Sequence, residues 1–178
     1  FSTVGKAYSA LFAGAFGDPA RIVEALRTGE RIDRAFRPIL QSLVETTPYL
    51  FSGLAVALGF RAGMFNIGGE GQIYIGAVAA TFVGLAFNDL PRAIHLPLTM
   101  LAGVLGGAIW GFIPGWLKAK TGAHEVINTI MMNHIALRLV EYLLTGPMTK
   151  TGGGGMPVSN SIAESARIPL VFPRPLTL

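Results

Sequence analysis

The 178-residue chain has no cysteine and few charges, with Asp, Glu, Lys and Arg together making up only 13% of it. The absence of thiols excludes disulfides, thiolate zinc sites and thiol catalysis. The shortage of charge, against about 25% in a typical soluble domain, argues against a water-soluble protein with a large buried α core. No lysine/arginine tract interleaved with aromatics occurs, so the net charge of +4 gives no support to nucleic-acid binding and fits anionic lipid nearby. There is no Gly-x-Ser-x-Gly elbow and no evident nucleophile–base pair. Neither enzyme activity nor a resident cofactor is expected.

What the chain does have is apolar sequence: 51% of its residues are hydrophobic and the mean hydropathy is +0.52. These residues lie in continuous blocks rich in Leu, Ala and Gly. Blocks of that kind predict an all-α polytopic membrane protein and disfavour a membrane β-barrel. About four transmembrane or partly spanning helices are expected, some of them discontinuous. The first covers about 39–60; its front half is polar (Gln41, Ser42, Glu45, Thr46, Thr47), and Pro48 is expected to kink it. The others cover about 72–87, 96–117 and 126–144. Residues 1–16 are too short and polar to span, and 17–37, with five arginines against Asp18, Glu24, Glu30 and Asp33, predict a surface helix or connecting loop. The expected organisation is an extramembrane or interfacial segment over 1–38, a transmembrane domain over 39–145, and an extracytoplasmic Gly/Pro-rich loop over 146–178. The chain does not start with Met and stops soon after a loop-like region, as part of a longer polypeptide would.

One stretch stands out: Arg61-Ala-Gly-Met-Phe-Asn-Ile-Gly-Gly-Glu-Gly-Gln-Ile-Tyr-Ile-Gly76. Each glycine costs a helix roughly 1 kcal/mol relative to Ala. A Glu at membrane depth costs roughly 2.5–3.5 kcal/mol on insertion scales. Both costs at one place predict a broken helix or re-entrant turn over 61–72, lining a protein interior where a substrate passes. Free backbone N–H groups at the start of the 72–87 helix could accept a polar substrate group, and Asn66, Glu70 and Gln72 could add hydrogen bonds. The plainer alternative is that these side chains only satisfy broken backbone.

Glycine also patterns the third segment. Gly103, Gly107, Gly111 and Gly115 are four residues apart and share a helical face. Together they forfeit roughly 4 kcal/mol of helix propensity. Close approach of a neighbouring helix is the natural offset, and Gly76, Ala80 and Gly84 make a matching smooth ridge on the second segment.

Several motifs fail on inspection. Gly68-Gly-Glu-Gly71 lacks the Lys-Ser/Thr of a phosphate-binding loop, because Gln72-Ile73 follows it. His124-Glu125-Val-Ile-Asn128 lacks the second His of a zinc-protease helix, so no metal site is expected. Glu125 and Asn128 at that helix start are expected to cap it or neutralise its dipole. His134, Arg138 and Glu141 fall near one face, where an Arg138–Glu141 ion pair is favoured over a proton relay. Asn128 and Asn133 add polar lining to the fourth segment. Arg61, Lys118 and Lys120 put the ends of the first and third segments in the cytoplasm, with the 88–95 turn outside. The arginines of 21–37 then fall outside as well, against the rule.

Phe60-Arg-Ala-Gly-Met-Phe-Asn-Ile-Gly-Gly-Glu-Gly-Gln-Ile-Tyr-Ile-Gly-Ala77, followed by Leu117-Lys-Ala-Lys-Thr-Gly-Ala-His-Glu-Val-Ile-Asn-Thr-Ile-Met-Met-Asn133, closely resembles bacterial ABC transporter permeases for nucleosides and simple sugars, of the branched-chain amino acid and ribose permease superfamily. The resemblance covers residues 35–150, and 147–174 also fits the family's outer loop. His124 stands where many relatives are expected to carry Asn. The resemblance implies a permease subunit in the bacterial inner membrane that pairs with a second permease subunit. It also implies cytoplasmic ATPase subunits that hydrolyse ATP separately, and an extracytoplasmic substrate-binding lipoprotein. On that reading Asn66, Glu70, Gln72, Asn128 and Asn133 are the candidate substrate-binding residues. The residues alone also allow an ion- or proton-coupled carrier, or a passive channel or structural membrane subunit.

Overall fold

The computed structural model describes residues 2–150 and 157–169. Among them six α-helices account for the secondary structure: α1 (Ser2–Phe16), α2 (Pro19–Thr28), α3 (Ile32–Arg61), α4 (Gly69–Ala86), α5 (Arg92–Thr121) and α6 (Glu125–Thr145). A 3-10 turn at Glu164–Ala166 and an isolated bridge between Thr149 and Ser159 complete the described structure. Most of the glycine run that opens the expected outer loop, and the tail from residue 170, lie outside the described residues.

The chain divides into two compact units, meeting between Leu54 and Ala55 within α3. In the first, Asp18 caps α2 by accepting the Ala20 N–H at 2.9 Å, and Pro19 opens the helix. Gly29 ends it in the left-handed conformation (φ 71°) that glycine adopts at no steric cost. Arg31, also left-handed at φ 55°, turns the chain into α3, its carbonyl accepting the N–H groups of Arg34 and Ala35. The Ser42 hydroxyl donates to the Ala15 carbonyl at 2.9 Å, tying the end of α1 to α3. The expected surface helix at 17–37 is therefore α2 together with the first turns of α3.

α3 runs unbroken through Pro38 and Pro48, seven residues ahead of the apolar segment expected from 39. A proline removes a single ladder donor, and the rest of the ladder carries the helix past it. The hydroxyls of Thr46, Thr47 and Ser52 turn back onto the carbonyls of Ser42, Leu43 and Pro48, so these three are satisfied within their own helix.

The second unit is built on α4, α5 and α6. The two glycine ridges meet: a Cβ on Gly76 would lie 2.9 Å from the Gly103 carbonyl oxygen, and one on Gly103 would lie 3.4 Å from the Ala80 Cβ. Gly106, off the four-residue register, is closer still, 2.7 Å from the Ala79 Cβ. Two ridge members face elsewhere. Gly84 opens onto Ile162 and Ala166 of the segment after α6, and Gly115 onto the Met64 side chain. Period alone put them on the α4–α5 seam; the helices diverge from it at both ends.

Inside and outside are inverted relative to a soluble globule. Buried positions in α4, α5 and α6 hold Gly71, Gly76, Gly84, Thr99, Pro114, Thr129 and Ala136, with His95 the one large side chain among them, whereas Phe82 (64% exposed), Val104 (67%) and Phe112 (66%) face outward. Small residues within and large apolar ones without are what helix packing in lipid produces. α3 and α5, each of 30 residues, are long and apolar enough to cross a membrane. The protein is an all-α membrane protein.

Candidate functional site

The break between α3 and α4 covers residues 62–68, shorter than the expected 61–72, because α4 already begins at Gly69. Glu70, Gly71 and Gln72 therefore sit in its first turn. The Gln72 N–H donates to the Gly68 carbonyl at 3.1 Å, which starts the ladder early.

The broken backbone is held from α6. Glu125, Thr129 and Asn133 are four residues apart and share a face. Glu125 Oε1 accepts the Phe65 N–H at 3.3 Å, and Thr129 Oγ1 accepts the Ile67 N–H at 3.3 Å. Asn133 bonds twice: Oδ1 accepts the Gly71 N–H at 2.8 Å, and Nδ2 donates to the Ile67 carbonyl at 3.0 Å. Asn66 bonds locally, its Oδ1 accepting the Gly68 N–H at 2.8 Å. At the outer edge of this network Lys118 Nζ donates to Glu125 Oε1 at 2.7 Å and to the Gly63 carbonyl at 2.8 Å. The Lys118 ammonium, the first cause, holds the Glu125 carboxyl below the usual carboxylate range at the mouth of α6, ahead of the apolar stretch from 126. Glu125 thus ties α5, α6 and the break together from the first turn of its own helix.

The predicted polar residues divide into two groups. Asn66 and Asn133 are spent on the backbone of the break. Glu70 is exposed, its Oε1 accepting the Tyr74 hydroxyl at 3.3 Å. Gln72 lies along α5, its Nε2 filling the space over Gly111, 2.7 Å from where a Cβ would stand. Asn128 is half-buried and its Nδ2 finds no partner among the described residues. Of the N–H groups expected to be free at the start of α4, that of Gly71 is taken by Asn133, while those of Gly69 and Glu70 make no hydrogen bond among the described residues.

Sequence reasoning missed Thr129 and Trp110. The Trp110 indole N–H is buried without a partner among the described residues, 3.0 Å from where a Gly71 Cβ would be. A tryptophan on an apolar helix is the available signal, since a buried indole N–H wants an acceptor. His95 was missed too. It is fully buried, Nδ1 2.7 Å from Ser165 Oγ and Nε2 3.2 Å from the Val83 carbonyl, pinning the segment after α6 to α4. The expected Arg138–Glu141 pair is present at 2.8 Å, exposed on both sides, and His134 is exposed beside it. Among the described residues no cluster of metal-ligating side chains occurs.

A sequence-family model described as the branched-chain amino acid transport system permease component matches residues 38–173, which takes in the break, α4, α5 and the α6 stripe. The chain belongs to this family. Similar permease-family proteins include the guanosine ABC transporter permease protein of Bacillus subtilis, 46% identical over 84% of this chain and 39% of that protein. The glucose ABC transporter permease protein of Haloferax volcanii is 41% identical over 74% of this chain and 34% of its own length. A nucleoside ABC transporter permease protein of Lactococcus lactis is 38% identical over 61% of this chain and 30% of its own. The chain thus spans about two fifths or less of the curated permeases it matches. No solved structure matches it.

Proposed function

We propose that this chain forms part of a multi-pass permease subunit of an ATP-driven importer for nucleosides or simple sugars in the bacterial plasma membrane. It works with a second permease subunit, cytoplasmic ATPase subunits and an extracytoplasmic substrate-binding lipoprotein. Family membership and the nucleoside- and sugar-permease names of its relatives support this reading. The ends of α3 and α5 that carry Arg61, Lys118 and Lys120 face the cytoplasm on this reading, and the residues after α6 lie outside.

The observation that carries the site assignment is the pinning of the break by Asn133 and Thr129. It satisfies non-helical backbone from one side and leaves the first turn of α4 open at Glu70. Glu70, Gln72 and Asn128, with the Gly69 and Glu70 amides, line the substrate path. Asn66 and Asn133 act on it by positioning the break. Polar hydroxyls of a ribose or hexose suit this mixture of acceptor carboxylate and donor amides. The test is uptake of radiolabelled guanosine and glucose by the full-length subunit reconstituted in vesicles with its second permease subunit, ATPase subunits and substrate-binding lipoprotein. Glu70→Ala is expected to abolish uptake with membrane insertion unchanged. Uptake at the wild-type rate would remove Glu70 from the path.

A further inference from the structure

Of the four ion pairs among the described residues, three join side chains only three positions apart, and both partners are exposed. Pairs of that kind contribute little. Lys118–Glu125 is different: it joins the last turn of α5 to the first turn of α6 at 2.7 Å, with side chains 31% and 21% exposed. Each partner also holds backbone of the break. Lys118 Nζ donates to the Gly63 carbonyl, and Glu125 Oε1 accepts the Phe65 N–H. Gly63 closes α3 in the left-handed conformation at φ 70°: its N–H donates to the Phe60 carbonyl, and that of Met64 to the Gly59 carbonyl. One charge pair therefore gathers the end of α3, the end of α5 and the start of α6.

The break thus has two kinds of anchor. Over 66–71 they are the neutral side chains of Asn66, Thr129 and Asn133. Releasing Asn133 would strand the N–H of buried Gly71 and the Ile67 carbonyl, which is costly. Over 63–65 the anchors are charges that keep exposed surface, and Gly63 and Phe65 are themselves exposed. An ammonium and a carboxylate released there can be hydrated. The two halves of the break therefore differ in how readily they open.

Resting on the transport reading, we propose that Lys118 and Glu125 are positioning residues of the transport step, an ionic latch on a hinge at 63–65. The latch opens and closes while the first turn of α4, with Glu70 and the Gly69 amide, keeps its place. It governs the rate of passage and not the binding of the solute.

Hydrogen exchange on the full-length permease in mild detergent reads the hinge without any transport. The Phe65 amide is expected to exchange faster than those of Gly68 and Gly71, and Lys118→Met to raise the Phe65 rate alone. A rise shared by Gly68 and Gly71, or no rise, would overturn the proposal. In the reconstituted transporter Lys118→Met is expected to lower the maximal uptake rate about tenfold at unchanged KM, the effect of about 1.4 kcal/mol on the barrier. Lys118→Arg, which keeps the charge and the donors, is expected to retain the rate. Glu125→Gln, which keeps an oxygen for Phe65 but loses the charge, is expected to slow uptake and gives a second, milder variant. Swapping the pair, Lys118→Glu with Glu125→Lys, restores attraction between α5 and α6 but neither the donor to Gly63 nor the acceptor for Phe65, and is expected to stay slow. A wild-type rate in the swapped pair would make it a plain tether between helices and overturn the proposal, as would a raised KM in Lys118→Met. A wild-type complex that takes up neither guanosine nor glucose would fail the transport reading, while hydrogen exchange still decides the latch.

Discussion

At Gly71 three atoms compete for the space a side chain would need. A Cβ there would lie 2.9 Å from Asn133 Oδ1, 3.0 Å from Trp110 Nε1 and 3.1 Å from the Asn133 Cα. The last is backbone and cannot swing away, so Gly71→Ala is expected to cost about 1–3 kcal/mol, the usual range for overpacking. Thermal unfolding in detergent reads this directly. Gly14→Ala is the control: nothing lies within 4 Å of that position, and the exchange is expected to raise the melting temperature through helix propensity, about 1 kcal/mol. Asn133→Ala leaves the Gly71 N–H and the Ile67 carbonyl without their partners, at about 1–3 kcal/mol. Its melting temperature should fall by a similar amount, and one equal to wild type would mean that water or another group replaces the amide. The sequence singles out the polar residues of 66–72 and Asn133, but not which backbone groups Asn133 serves, nor Thr129 beside it. Asn66 satisfying Gly68 is a local event that spacing can suggest, whereas Thr129 reaching Ile67 across 62 residues depends on tertiary packing that no local pattern encodes.

Helix existence was legible at the scale of elements, because apolar blocks bounded by Asn88–Pro91, Gly122 and Gly146–Pro147 are strong local signals. Helix ends were not. α3 starts seven residues before its apolar stretch and α4 three residues before Gln72, since charged and glycine-rich turns carry no hydrophobic period to extend. The α4–α5 seam was legible through its small residues, but Gly106 was not, because it falls outside the four-residue repeat. The absence of native cysteine makes the seam directly testable. The Ala80 Cβ is 3.4 Å from a Cβ at Gly103, close to the 3.5–4.5 Å of a disulfide. Ala80→Cys with Gly103→Cys should cross-link on mild oxidation and shift in a non-reducing gel once cut between the helices. Ala80→Cys with Val104→Cys, whose second position is exposed, should not. Equal cross-linking of both pairs would mean that α4 and α5 do not meet through this face.

For the molecule as a whole, the placement of large apolar side chains outside and mainly small residues inside, His95 apart, fits the charge deficit with which the sequence begins. A membrane is what such a surface faces, and the break between α3 and α4 is tolerated there because side chains of α6 satisfy its backbone. The membrane class and the break were both legible, the first from composition and the second from glycine and glutamate in one apolar context. Which polar groups stay free for a solute was not, because that depends on which of them the broken backbone has already claimed. The most direct test is purification of the full-length protein from native membranes in mild detergent, with identification of what accompanies it. The account predicts a stoichiometric ATPase and a substrate-binding lipoprotein carrying a nucleoside or sugar. A protein that purifies alone, hydrolyses no ATP with any partner, and whose uptake stops only when an ion gradient is collapsed would contradict it.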